Sequence, residues 1–363
     1  MEPALKSIVR PSSVSSVTVV DEPRADARPP MPTLEQVARR ADVSIATASR
    51  VVTGSVPVSA ARRERVERAI AELGYVPDER ARDLRRGAQR AVGFLVPNLA
   101  GPLYADVYRR VHRILRRQGL TLIAFETEDE AEGETQAVDV LLRSGARALV
   151  AASAGGLGQE TLERLARRDV RVIHFDDRPA SDELSSVTLA DREDVRELTR
   201  QLLDHGHRRI GFVSGALDGS SGRDRLQGYH EALDEAGVSA DPDLVCGFGW
   251  SHVVGRRAGE HLLALGDRPT AILTAHPCTV VGVVEAIRAA GLQIPGDVSL
   301  ATAFEADHIR YLDPPITCMT GCDERLGEAI ARLVLADRYR PQQIVVRPTL
   351  ALRDSVARVP VGA

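Results

Sequence analysis

Long apolar runs are missing from these 363 residues: no stretch approaches the ~20 residues a helix needs to cross a bilayer. The N-terminus also lacks an unbroken apolar core with a small-residue cleavage site, so no signal peptide is read there. A cytoplasmic protein with no membrane partner is expected. Cysteine is scarce. Of Cys246, Cys278, Cys318 and Cys322, only the last two lie close, separated by three residues with no His pair nearby, which is not a zinc spacing. Buried or incidental thiols are expected, with no metal and no cofactor. Enzyme signatures are missing too: there is no Gly-x-Ser-x-Gly elbow, Walker A loop or zinc-binding helix motif. Gly247-Phe248-Gly249 lacks the third glycine of a dinucleotide fingerprint, and Trp250 would crowd a pyrophosphate. Catalysis is not expected. Lysine is nearly absent, Lys6 being the only one, which reads as gene composition and not as chemistry.

What remains is an ordinary globular composition, 44% apolar and 27% charged, long enough for two or three domains with real cores. The net charge of -4 is unevenly spread. Residues 33–90 hold twelve Arg against eight acids, residues 1–32 cancel, and the remainder carries -8. A basic head on an acidic body is the footprint of a nucleic-acid reader joined to something else.

The head explains itself residue by residue. Thr33-Leu34-Glu35-Gln36 has capping-box spacing, and Leu34, Val37, Ala38 and Ala41 recur with helical period. Asp42-Val43-Ser44 turns the chain, with Ser44 as N-cap of a second helix from Ile45 to about Thr53. A third helix runs from Ser59 to Leu73, with Val66, Ala69, Ile70 and Leu73 on one stripe and Gly74 as its stop. Two short helices joined by a tight turn form a helix-turn-helix, whose second helix lies in the DNA major groove. Ile45 and Ala46 suit thymine methyls, and Arg50 suits guanine O6 and N7. Thr47 and Ser49 can donate to phosphates, which positions without reading sequence. An ordinary helical hairpin with a solvated Arg is the bland alternative.

Three segments, 33–38, 41–44 and 47–51, together with Gly74-Tyr75-Val76-Pro77 and Ala81-Arg82-Asp83-Leu84, resemble the amino-terminal signature of the LacI/GalR family of bacterial repressors. The resemblance implies that Ile45, Ala46 and Arg50 read base edges, with Thr33, Ser44, Thr47, Ser49 and Tyr75 also at the DNA. It implies a hinge helix from Asp78 to about Arg86. There Leu84 would be the minor-groove wedge, flanked by Ala81 and Arg85. Asp78 departs from the family's more frequent Asn.

Beyond Arg90 short apolar strands alternate with amphipathic helices, beginning with Val92–Pro97, Tyr104–Gln118 and Thr121–Phe125. That texture means parallel sheets covered on both faces. It fits the family's two-lobed, periplasmic-binding-protein-like core, as do His205–Phe212, Arg225–Tyr229, Arg268–Ile272, Ile294–Leu300 and Leu326-Gly327. The expected organisation is a disordered tail (1–31), a helix-turn-helix domain (32–76), a hinge helix and linker (77–90) and a core (91–363). Lobe 1 takes about 91–190 plus 320–343, and lobe 2 about 191–319 plus 344–355. Met31, directly ahead of the signature, is the expected translation start.

By the same resemblance a cleft between the lobes binds a small-molecule effector through Leu103, Tyr104, Asp176, Arg225, Trp250, His276 and Glu305. Asp177 competes with its neighbour Asp176 for that role. His276-Pro277-Cys278 stands where Asn-Asp is common, and Ala303-Phe304-Glu305 where Gly-Phe/Tyr-Asp is common. That departure tells against a simple monosaccharide: either His276 and Glu305 take over as polar contacts to a sugar or related metabolite, or the pocket binds something less polyhydroxylated. The implied function is an allosteric repressor, a homodimer or tetramer on a pseudo-palindromic operator. An activator, or a regulator whose cleft senses nothing, is the alternative.

Overall fold

The computed structural model describes residues 32–53, 57–75, 90–128, 130–152, 157–179, 181 and 183–359. The tail and the hinge segment, with Ala81, Leu84 and Arg85, lie outside them. The chain divides into two compact units, an N-terminal one and a core.

The N-terminal unit is built by local signals. Thr33 accepts from the Gln36 backbone N–H at 3.3 Å while the Gln36 amide oxygen accepts from the Thr33 N–H at 2.8 Å. That reciprocal pair starts α1 (Leu34–Arg40). Asp42 turns the chain at φ 51°, and the Ser44 hydroxyl then accepts from the Thr47 N–H at 3.2 Å to start α2 (Ile45–Thr53). α3 (Ala60–Leu73) stops at Gly74, whose φ of 63° lets the chain reverse without a Cβ clash. Val37, Ala38, Ala41, Ala48, Val66 and Ala69 form the buried centre. Arg40 and Arg65 of α1 and α3 pair with Glu72 and Asp42 at 2.5 and 3.4 Å, tying the first helix to the third.

The core holds two six-stranded sheets. In chain order the first series is β1 (Ala91–Val96), α4 (Pro102–Arg117), β2 (Thr121–Glu126), α5 (Ala131–Arg143), β3 (Ala148–Ala151), α6 (Gln159–Ala166), β4 (Arg171–Phe175) and β5 (Ser185–Leu189). The second is α7 (Asp191–Asp204), β6 (Ile210–Val213), α8 (Ser220–Glu235), β7 (Val245–Cys246), α9 (His252–Ala264), β8 (Ala271–Thr274), α10 (Pro277–Ala289), β9 (Ser299–Thr302), α11 (Asp307–Arg310) and β10 (Thr317–Thr320). α12 (Cys322–Leu335), β11 (Gln343–Val346) and β12 (Thr349–Ala351) complete the core. The first sheet runs β11-β5-β4-β3-β1-β2, all parallel; the second runs β12-β10-β9-β8-β6-β7, antiparallel only where β12 meets β10. Strands such as β3, β6 and β8 are buried along their whole length, as helix-covered parallel strands must be.

The chain passes between the lobes three times, after β5, after β10 and after β11. α12 packs on α4, β4 and β5, so it belongs to lobe 1. The third passage corrects the expected boundary. β11 pairs with β5, Gln343 opposite Ser186 and Val346 opposite Leu189, so residues 344–346 complete lobe 1 and not lobe 2.

Candidate functional site

On α2 the 100° turn per residue separates two faces. Ala48 is buried and Val51 half-buried against the three-helix centre. Ile45 (52% exposed), Ala46 and Arg50 are exposed and Ser49 half-buried on the other face. A large aliphatic side chain held out to solvent at the start of a helix has no packing purpose. Ser44 and Thr47 meet hydroxyl to hydroxyl at 2.9 Å, which fixes the geometry of the helix entry. Tyr75 donates its backbone N–H to the Ile70 carbonyl and leans on the centre, finishing α3.

In the core, a cleft of about 420 Å³ opens between the lobes at the carboxyl ends of the strands. Lobe 1 supplies Leu103 and Tyr104 from the first turn of α4, and Asp176 and Asp177 from the end of β4. Lobe 2 supplies Asp218, Ser221 and Arg225 around the start of α8, with Trp250 and His276 from the loops after β7 and β8 and Cys278 from the first turn of α10. The Tyr104 hydroxyl donates to Asp176 at 2.9 Å, and its ring stands edge-on to Phe175. Burial pushes Asp176 up to about 6, against the pull of Arg225.

Arg225 is only 1% exposed. It donates from Nε to Asp191 at 2.7 Å and from Nη1 to the Ala275 carbonyl at 2.9 Å, and lies over the rings of Trp250 and Phe304. Burial opposes its charge, but Asp191 and Asp176 outweigh burial and keep it protonated. His276 caps α10: its Nδ1 accepts from the Cys278 N–H at 3.1 Å, which places the ring proton on Nε2. Burial, with Arg225 beside it, holds His276 far below its ordinary value, so it is neutral.

Six of the seven expected cleft residues thus come together. Glu305 does not. Its carboxylate is held by Arg310 at 2.9 Å and by Arg353, and it lines no part of the cleft. Those two cations make it a strut between the ends of β9 and β12. The sequence did not single out Asp218 or Ser221, read Cys278 as a buried or incidental thiol, and left Asp177 unresolved. The Gly219-Ser220-Ser221-Gly222 run at a helix start was the signal for the first two. Cys278 does line the cleft, where burial pushes its thiol up to about 11.

Two glycines shape the wall. A Cβ built on Gly215 would fall inside the Trp250 ring, and one on Gly222 would overlap the Ala216 carbonyl. Gly215→Ala should therefore expel the indole. Since Trp250 is the only tryptophan, its emission should shift to the red, and an unchanged spectrum would show that the ring does not rest on Gly215.

The model for bacterial regulatory proteins of the lacI family matches residues 33–78, and that for a periplasmic-binding-protein-like domain matches 199–356. The ribose operon repressor of Haemophilus influenzae is 30% identical over 332 residues, covering 90% of this chain and 99% of its own. The chain belongs to the LacI family. LacI-family kinship extends to the repressor PurR of Aliivibrio salmonicida, 26% identical over 91% of this chain and 100% of its own. Among solved structures, the complex of the regulator CelR with cellobiose aligns with a TM-score of 0.66 and 28% identity, covering 89% of this chain and 99% of CelR. The lac repressor dimer bound to operator and the anti-inducer ONPF aligns with a TM-score of 0.76 at 24% identity, over 90% and 99%, and shares the fold. This LacI-family chain is a DNA-binding transcriptional regulator with a two-lobed ligand-binding core. No described helix is long and apolar enough to cross a membrane.

Proposed function

We propose that this regulator is a homodimeric repressor whose operator affinity is set by a small metabolite in the interlobe cleft. The carrying observation is the solvent-facing arc of Ile45, Ala46, Ser49 and Arg50 on a helix whose other side is core. Ile45 and Ala46 meet thymine methyls, Arg50 pairs with guanine, and Thr33, Ser44, Thr47 and Tyr75 stand beside the backbone. Ala81, Leu84 and Arg85 are assigned to the minor groove at the operator centre. In the cleft, Arg225 keeps an Nη2 with no hydrogen-bond partner among the described residues, suited to a ligand acceptor beside the Trp250 ring. Ligand binding changes the lobe arrangement and, reciprocally, operator DNA changes ligand affinity.

Selection of random duplexes by the purified protein should yield a pseudo-palindrome. Arg50→Ala should lose preference at one base pair per half-site, about 1–3 kcal/mol each, with an unchanged salt slope. If Arg50→Ala selects the same sequence with the same stringency, α2 is not the reading helix.

A further inference from the structure

The N-terminus of a long helix is ordinarily a seat for anions, because its first N–H groups have no partner within the helix. In this cleft that seat is taken. The Asp177 carboxylate reaches across from lobe 1 and accepts from the Ser220 N–H at 2.5 Å, the Ser220 hydroxyl at 2.7 Å and the Ser221 N–H at 3.1 Å. The approach needs Gly219, where an added Cβ would stand 2.5 Å from Asp177 Oδ2. Asp176 and Asp218 add two more carboxylates to the lining. Against these three, the lining offers one guanidinium, Arg225, already paired with Asp191. Neighbouring cations are engaged elsewhere: Arg178 pairs with Asp224 at 2.7 Å, and Arg223 donates to the Leu217 and Asp218 carbonyls. His276 adds no charge, while Tyr104 and Trp250 present ring surfaces.

We infer that the cleft selects uncharged, ring-shaped ligands and turns away their phosphorylated or carboxylated counterparts, with Asp177 holding the place an anion would take. The inference rests on the effector reading above and narrows its ligand class. An added anion meets like charge from these carboxylates, so discrimination of at least about 100-fold is expected.

The test titrates the full-length protein calorimetrically with matched pairs, D-ribose against ribose 5-phosphate and adenosine against adenosine monophosphate. In any pair that binds, the uncharged member should win. A charged member that binds as tightly overturns the inference and leaves the effector reading standing. A second arm needs no knowledge of the effector: inorganic phosphate is titrated at constant ionic strength with Trp250 fluorescence as readout. Wild type should give no saturable response at millimolar phosphate, whereas Asp177→Ala, which bares the two N–H groups and the hydroxyl, should give one. Phosphate binding by wild type, or none by the variant, overturns the inference. Should Asp177→Ala melt early, Asp177→Asn replaces it, with the same direction and a smaller response expected. The effector reading fails separately, if ligands that bind leave operator affinity unchanged.

Discussion

Arg225→Ala is expected to cost about 3–5 kcal/mol and to lower the melting temperature of the core by roughly 10 °C. The side chain fills the space between the Trp250 and Phe304 rings, holds the Ala275 carbonyl and faces Asp191, whose own side chain is 7% exposed. Removing the guanidinium strands a buried carboxylate. Burial already pushes Asp191 up even with Arg225 present, so without it the group takes a proton or draws in water. The double replacement Asp191→Leu with Arg225→Met should recover most of the loss, since a buried pair exchanged for apolar groups of similar size is often neutral. Calorimetric melting of wild type and both variants checks this. A single variant that melts with wild type would mean that the pair contributes nothing, leaving Arg225 as a ligand contact alone. A double variant as unstable as the single one would place the loss in packing.

Which parts of this architecture were legible in the chain depends on how far each element's partners lie along it. Thr33 and Ser44 are readable as caps because the N–H groups they accept from are three residues away. The three helices of the N-terminal unit, and the buried strands from β1 to β9 that read as apolar runs, follow from equally local patterns. α8 did not follow. Its sequence periodicity begins at Arg225, yet the helix starts at Ser220, because its cap is Asp177, 43 residues away on the other lobe. β5 is hidden in the sequence for a related reason. Ser185, Ser186 and Thr188 look like a loop, but all three are buried, with Gln342, Gln343 and Tyr339 supplying partners to the two serines from beyond β10. Glu305 shows the opposite error. A polar residue at a family cleft position reads as a ligand contact until Arg353, 48 residues on, is seen to hold it.

The passages between the lobes meet around one such concealed group, and it should dominate the pH dependence of stability. Asp194 lies in the first turn of α7, just after the first passage, and is 9% exposed. Asp191 and Glu193 flank it, Cys322 of the second passage senses its charge, and Arg347 of the third attracts it. No donor among the described residues bonds its carboxylate. Burial is the largest influence, followed by repulsion from Asp191 and Glu193, and together they push it up to about 8 despite Arg225 and Arg347. The sign follows directly. In the unfolded chain an aspartate loses its proton near ~4, so between there and about 8 the folded state keeps a proton that the unfolded state has released. Stability should therefore fall as pH rises through that window, by up to about 1.4 kcal/mol per pH unit, and level off above it. Asp194→Asn keeps the shape and removes the charge. It should match wild type at the acid end of the window and be more stable by a few kcal/mol at its alkaline end, at about one proton's worth per unit. Urea midpoints of both proteins at the two ends decide the matter. Parallel profiles would mean that Asp194 is solvated or paired, and that the pH response of the core arises elsewhere.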